Sequence, residues 1–168
     1  MGGRGPAACT GDQLTDPGEL RNWLASRDLL APSAALTAAD LRRALAIREG
    51  LRVALQAHAG HPVDPAGLEP LHAALDRAPL HLRFDGAGGR RLVPAADDPL
   101  GGLTAVLAAA TESDGWDRLK VCARESCRWA YYDSSRNRSG RWCSMAGCGN
   151  LVKMRRAYAA RRRAGRPG

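Results

Sequence analysis

Hydrophobic residues recur at helical spacing through the first two thirds of this 168-residue chain. The segment after Asp16 has its apolar residues on one face, and an aspartate followed by proline is typical of a helix start. A longer helix is predicted from Thr37 to about Gly60, because its leucines repeat every three or four positions. A third is predicted after Asp64, with Pro70 disturbing its first turns. The pattern therefore predicts a mainly helical N-terminal part.

The period changes to an alternation of apolar and polar residues between Leu80 and Phe84. A Gly-rich turn and a second apolar pair follow, so we expect a β-hairpin. A fourth helix is predicted next, with Asp98 as its N-cap and Pro99 inside it. The fold class is therefore mainly α with one β-hairpin (α+β) for an N-terminal domain over 1–117. The first thirteen residues carry no periodic signal, and we expect them to be loose.

Charge is divided unevenly along the chain. The overall net charge is +8. Residues 1–117 sum to −4, whereas residues 118–168 sum to +12. Such a split favours a polyanionic partner for the C-terminal part, nucleic acid first and an acidic membrane second. The simpler alternative is a solvated basic end.

Four of the five cysteines cluster near the C-terminus as C-x4-C-x15-C-x4-C, namely Cys122, Cys127, Cys143 and Cys148. Two close pairs separated by a hairpin-sized insert can surround one Zn²⁺ tetrahedrally. Four protein ligands leave no coordination position open, so this zinc would be structural. Disulfides or unrelated buried thiols are the alternatives, and Cys9 stands outside the set. The start of the chain lacks a secretion signal and no apolar run spans a membrane, so we expect a cytoplasmic protein without membrane contact.

The insert between the cysteine pairs carries aromatic residues on both sides of a polar, arginine-rich turn. We expect a hairpin with that turn as its tip and Trp142 after it. The aromatic residues Trp129, Tyr131 and Tyr132 are expected to form a small core. Stacking of RNA bases on them is a subsidiary alternative. After Cys148, Asn150 is predicted to cap a basic helix. A knuckle, a hairpin and a helix that begins at the last ligand form a treble-clef-like zinc finger over 118–168.

This finger resembles the CGNR zinc-finger family. The resemblance rests on the four cysteines, the D-x-S-x-N turn from Asp133 to Asn137, the R-W-C-S-M run that begins at Arg141, and the C-G-N sequence before the helix. The preceding part is similar to the ABATE domain, which is linked to stress-induced transcription regulation. The resemblance implies a stress- or ligand-responsive transcription regulator.

Two departures from the family pattern stand out. Leu151 occupies the position of the signature arginine, and we expect Arg155 or Arg156, about one turn later, to supply the missing charge. Relatives also carry a short apolar strand near the N-terminus, where this chain has only "AACTG". We expect either a truncated start or a lost strand.

We therefore predict a DNA-binding transcriptional regulator. The candidate DNA contacts are Arg136, Arg138 and Arg141 near the hairpin and Lys153, Arg155 and Arg156 on the helix, since guanidinium groups bind phosphate or guanine in a bidentate way. A small-molecule effector or a homodimer contact is expected for the N-terminal domain. The alternative is a zinc-dependent module that docks an acidic surface of the transcription machinery.

Catalysis is not expected. The histidines His58, His61, His72 and His81 are scattered without metal-ligand spacing, and the Gly-rich turn lacks the lysine of a P-loop. No set of nucleophile, base and orienting group is visible. Redox sensing through the zinc thiolates would agree with a stress response, but the cysteines alone do not indicate it.

Overall fold

The computed structural model describes residues 13–164. Two compact units are present within this range. The helical unit comprises 13–54 and 63–116, and the finger unit comprises 55–62 and 117–164. The division predicted at residue 117 stays a prediction, and the finger unit also includes the end of the second helix.

The described elements are mostly helices, with two small antiparallel hairpins, which confirms the predicted fold class. In chain order they are α1 (Pro17–Ala25), α2 (Ala38–His58), a 3₁₀ turn (Pro65–Leu68), α3 (Glu69–Leu75), β1 (Leu80–Phe84), β2 (Arg90–Pro94), α4 (Gly101–Thr111), a 3₁₀ turn (Trp116–Arg118), β3 (Leu119–Val121), β4 (Ala130–Tyr132), a π-helical turn (Met145–Gly149) and α5 (Asn150–Ala164). None of these helices is long and apolar enough to cross a membrane.

The first two helices begin where the sequence indicates. The Asp16 carboxylate accepts the N–H of Glu19 at 3.0 Å. At the start of α2, Thr37 and Asp40 cap each other, because each side chain accepts the other's backbone N–H. These bonds satisfy donors that a helix start leaves open. The third helix begins as a 3₁₀ turn capped by Asp64, and Pro70 lies in the first turn of α3, which follows it.

The predicted start of the fourth helix is wrong by two residues. Helix α4 begins at Gly101 with Leu100 as its N-cap, and Pro99 lies outside it. Asp98 instead accepts the N–H of Leu100 at 2.7 Å and pairs with Arg43 of α2. The carboxylate thus closes a turn and holds an ion pair rather than capping the helix.

The core of the helical unit lies between α1, α2, α3 and the start of α4. Its buried members are Leu20, Leu24, Ala44, Ile47, Leu71, Ala74 and Leu100. The strands β1 and β2 pair in antiparallel register, with Leu82 opposite Leu92, and the hairpin packs against α4. Burial of each large aliphatic side chain contributes about 1.5–3 kcal/mol, so this cluster is the main stabilising element of the unit.

Helices α2 and α3 lie close together at Gly50. A Cβ at this position would overlap the Cβ of Leu71. Alanine normally favours a helix over glycine by about 0.5–1 kcal/mol. Here we expect Gly50→Ala to lower the free energy of unfolding by about 1–3 kcal/mol, because the helices must separate.

Urea unfolding followed by circular dichroism measures this effect. Gly86→Ala is the matched control, since a Cβ at Gly86, in the hairpin turn, meets nothing within 4 Å. A Gly50→Ala variant more stable than the parent would contradict the close packing of α2 on α3.

Candidate zinc centre and basic cleft

The four predicted cysteines meet at one point of the finger unit. Their sulfur atoms all lie within 4.8 Å of one another. The Cys127 and Cys143 sulfurs are 3.8 Å apart, and those of Cys143 and Cys148 are 3.6 Å apart. Four sulfurs at about 2.3 Å from a tetrahedral zinc would be separated by about 3.8 Å, so the cluster has the dimensions of a zinc site.

The chemistry of the cluster also fits a dication. Burial, and then the neighbouring sulfurs of Cys148 and Cys127, raise the pKa of the Cys143 thiol. Burial opposes ionisation of Cys122 as well, but hydrogen bonds from the backbone at Cys143 and Arg124 lower its pKa below the ordinary value. Several thiolates crowded together repel one another, and a bound Zn²⁺ removes this repulsion. These four cysteines form no disulfide.

The cluster therefore holds one structural Zn²⁺, as its spacing predicts. Two buried cysteines, Cys122 and Cys148, belong to different turns of the chain, and a bound Zn²⁺ would join these turns. Within residues 13–164, no other group of three or more His, Cys, Asp or Glu side chains is placed to hold a metal. Four sulfur ligands close the coordination sphere, so the ion shapes the finger.

The first strand of the predicted finger hairpin, β4, pairs with a different strand from the one expected. The sequence predicts that β4 pairs with the residues before Cys143, whereas it pairs with β3, and Lys120 lies opposite Tyr131. The connection between β3 and β4 carries Cys122 and Cys127, so the hairpin itself presents the first pair of ligands. The two strands are joined again where the N–H of Cys122 donates to the carbonyl of Trp129.

Asp133 explains why the chain after β4 folds into a loop instead of a strand. Its carboxylate accepts the N–H groups of Ser135 at 3.1 Å and Gly140 at 2.8 Å. It also pairs with the buried Lys120 ammonium at 2.8 Å, and that ammonium donates in addition to the carbonyl of Arg138. Burial would raise the pKa of Asp133, but these bonds, Lys120 first, hold it well below the usual range. The D-x-S-x-N motif is thus a loop closed around one buried ion pair.

The aromatic residues of the insert are less buried than expected. Trp129 and Tyr132 are 45% and 55% exposed, so the predicted aromatic core is wrong for these two. Tyr131 is partly buried and donates to the carbonyl of Gly140 at 2.8 Å. Burial and the nearby Asp133 carboxylate raise its pKa, which keeps the phenol protonated.

The predicted cap of the last helix is also wrong. Asn150 is the first residue of α5, and the helical path already begins with the π-helical turn before it. Ser144 is the N-cap of that turn and accepts the N–H of Gly147 at 3.2 Å. Cys148 therefore lies inside the helical start, where the backbone fixes its direction.

We expect Asp133→Asn to destabilise the finger by about 3–5 kcal/mol, because it leaves the Lys120 ammonium buried without a counter-charge. The affinity for zinc should fall with it, since the metal binds to the folded finger. Competition with a chromogenic chelator measures that affinity. Glu125→Gln is the control, because it neutralises an exposed carboxylate of the same unit. Equal zinc affinity in the two variants would count against the structural role of Asp133.

Three of the six predicted DNA contacts are brought together beside the zinc centre. A cleft of about 350 Å³ is lined by Arg141, by Arg155 and Arg156 of α5, and by Arg124 from the turn between the first two cysteines. Glu125 supplies the acidic group of this lining, and His61, Trp142 and Val152 contribute as well. We call this the basic cleft.

The other three predicted contacts do not line the basic cleft. Arg136, Arg138 and Lys153 are exposed. The Arg138 guanidinium lies 4.0 Å from the carboxylate of Asp117, an exposed and therefore weak ion pair. Leu151, which replaces the signature arginine, is 43% exposed and lies outside the cleft lining.

Sequence reasoning missed Arg124 and His61. Arg124 stands between two metal ligands, a place where a side chain is easily taken for part of the knuckle. His61 belongs to the turn after α2, more than sixty residues before the other cleft residues. A basic residue inside the C-x4-C spacing was the available signal for Arg124, whereas nothing in the sequence pattern indicates His61.

The fold and the cysteine cluster define a zinc-finger protein with a helical N-terminal unit. Family models agree: the CGNR zinc finger matches residues 118–162, and ABATE, described as "Putative stress-induced transcription regulator", matches residues 3–114. The second match covers well over half of the chain, so the chain belongs to the ABATE family and carries a CGNR zinc finger. No curated protein matches it.

Proposed function

We propose that this protein is a transcription regulator that binds DNA through its zinc finger. The observation that carries the proposal is the basic cleft, where four arginines and one glutamate line the same depression. Guanidinium groups form paired, charge-assisted hydrogen bonds with phosphate oxygens. The expected occupant of the cleft is the sugar-phosphate backbone of a duplex.

The zinc centre supports this assignment because it organises the cleft. Arg124 lies between Cys122 and Cys127, and Arg141 lies two residues before Cys143. The N–H of Ala123 donates to the carbonyl of Arg141 at 2.9 Å, which ties the two walls together. Without the metal, these turns have little to hold them, so the arginines would no longer converge.

Arg155 and Arg156 supply the charge that the signature arginine would bring one turn earlier. Both line the basic cleft, whereas Leu151 does not. The exposed Arg136, Arg138 and Lys153 stay predicted contacts to flanking phosphates or to base edges. The proposal assigns no catalytic role, because the four-thiolate site offers zinc no open position. Stress response and cytoplasmic location stay predictions.

Selection from a random pool of duplex DNA tests the proposal, with binding then followed by fluorescence anisotropy at several salt concentrations. We expect binding at low salt that weakens steeply as salt rises, because phosphate contacts release counterions. Enrichment of one sequence would add base readout to phosphate contact. No binding of the zinc-loaded protein at low salt would refute the proposal.

A protein partner is the second candidate, and the exposed side of α5 favours it. Leu151, Met154 and Tyr158 are 43%, 68% and 66% exposed on this helix. An apolar stripe beside arginines suits an acidic, partly apolar surface such as one on the transcription machinery. Substitution of Met154 and Tyr158 by Ser separates the two functions. Unchanged DNA affinity together with a loss of transcriptional output would favour the protein partner, and a loss of DNA affinity would oppose it.

A further inference from the structure

We propose that the helical unit binds a small apolar molecule that carries a cationic or other hydrogen-bond-donating group. The site is a cavity of about 580 Å³ between α2, α3, α4 and the start of β1. This volume lies within the range of pockets that bind small organic ligands, about 300–1,000 Å³. All residues that line it belong to the helical unit.

The lining is predominantly apolar. Leu51 from α2, Leu71 and Leu75 from α3, Leu107 from α4 and Leu80 from β1 all contribute to it. Such walls favour a ligand with a compact hydrocarbon or aromatic part, because binding removes the apolar surfaces of both the ligand and the cavity from water.

The oxygen atoms of the lining are hydrogen-bond acceptors. The Thr104 hydroxyl donates its proton to the carbonyl of Gly101 at 2.9 Å, and that of Thr111 donates to Ala108 at 2.7 Å. Each hydroxyl has its proton engaged in this way and keeps lone pairs that can accept a hydrogen bond. Asp76 adds a carboxylate, which in its ionised form is an acceptor and never a donor. A ligand that donates hydrogen bonds matches this lining.

Charge selects further among such ligands. Asp76 is the ionisable group among the described residues of the lining. An anionic ligand would be repelled by this carboxylate, whereas an ammonium or amidinium group would pair with it. The charge of the exposed Asp76 thus favours lipophilic cations over lipophilic acids.

The nearest alternative occupants are other parts of this protein. Residues 1–12 read "MGGRGPAACTGD" and offer one large apolar side chain, Met1, so their composition is unsuited to filling apolar walls. A second copy of the chain could instead bury the cavity in a dimer interface. Oligomeric state is therefore measured together with ligand binding.

The experiment uses three probes of the same shape, namely 1-naphthylmethylammonium, 1-naphthylmethanol and 1-naphthoate. Calorimetric titration of the full zinc-loaded chain gives their affinities. We expect the ammonium to bind most tightly and the carboxylate at least about tenfold more weakly, because only the former gains a charge-assisted bond to Asp76. Equal affinities for the three probes, or no binding of any, would overturn the proposal.

Variants assign the binding to this cavity. Asp76→Asn should reduce the preference for the ammonium to less than about threefold, whereas Asp97→Asn, an exposed aspartate outside the lining, should leave it unchanged. Ala108→Phe fills the cavity and should abolish binding of all probes. If Ala108→Phe unfolds at a lower temperature than the parent protein, Ala54→Phe, which fills the cavity from α2, is used in its place. Unchanged probe binding in a folded variant with a filled cavity would refute the site. If the parent protein is a dimer and the filled variant is a monomer, the cavity belongs to a dimer interface, which would also overturn the proposal.

Discussion

Replacing Cys148 by serine is expected to remove the zinc and unfold the finger while the helical unit keeps its structure. Among the described residues of the finger, the well-buried groups are mainly ligands or polar partners, such as Cys122, Cys148, Lys120 and Asp133. Helix α5 adds no buried side chain within its described part. So small a core leaves metal binding, on the order of 10 kcal/mol, as the principal source of folding free energy.

Elemental analysis should give one zinc per parent chain and close to none per Cys148→Ser chain. Hydrogen exchange should show fast exchange over 119–149 in the variant and unchanged protection in α1 and α3. Cys9→Ser is the matched control, because Cys9 is not part of the C-x4-C-x15-C-x4-C set in the sequence. Full zinc retention in Cys148→Ser would contradict the four-sulfur site.

The triple substitution of Arg141, Arg155 and Arg156 by alanine is expected to weaken DNA binding roughly 100-fold near 0.1 M salt, because each alanine removes a charge-assisted bond to phosphate. The slope of log affinity against log salt should decrease in magnitude by up to about 3, one unit for each phosphate that the variant no longer neutralises. All sequences should be affected alike, since phosphate contacts carry no sequence information.

The control has the same change in net charge at another place. Arg83, Arg90 and Arg91 lie on the β1–β2 hairpin of the helical unit and are exposed. Their substitution by alanine should alter the salt slope far less. Anisotropy titrations of both triple variants, each checked for one bound zinc, measure the difference. Equal effects in the two variants would show that net charge, rather than the basic cleft, determines binding.

Local chemistry explains how much of the fold the sequence could predict. The caps at Asp16 and Thr37 act within one helical turn, so the pattern locates α1 and α2 closely. The start of α4 is misplaced by the pattern because Asp98 bonds to Arg43, which is distant in sequence. Such a pairing leaves no periodic signal in the chain.

The same distinction holds for the site. Cysteine spacing predicts the zinc centre because each close pair forms a local turn. The partner of β4 is not predictable in this way, since β3 lies before the first cysteine and Asp133 diverts the chain that follows. The N-terminal departure from the family pattern falls on residues outside the described range and stays a prediction.

The central claim is that zinc holds the finger in the form that binds DNA. It is tested most directly by the affinity of one protein sample for duplex DNA before zinc removal, after chelation, and after zinc is added back. We predict salt-sensitive binding by the zinc-loaded protein, at least about a tenfold loss of affinity after chelation, and full recovery with one equivalent of zinc. Equal affinity in the loaded and stripped states would contradict this account.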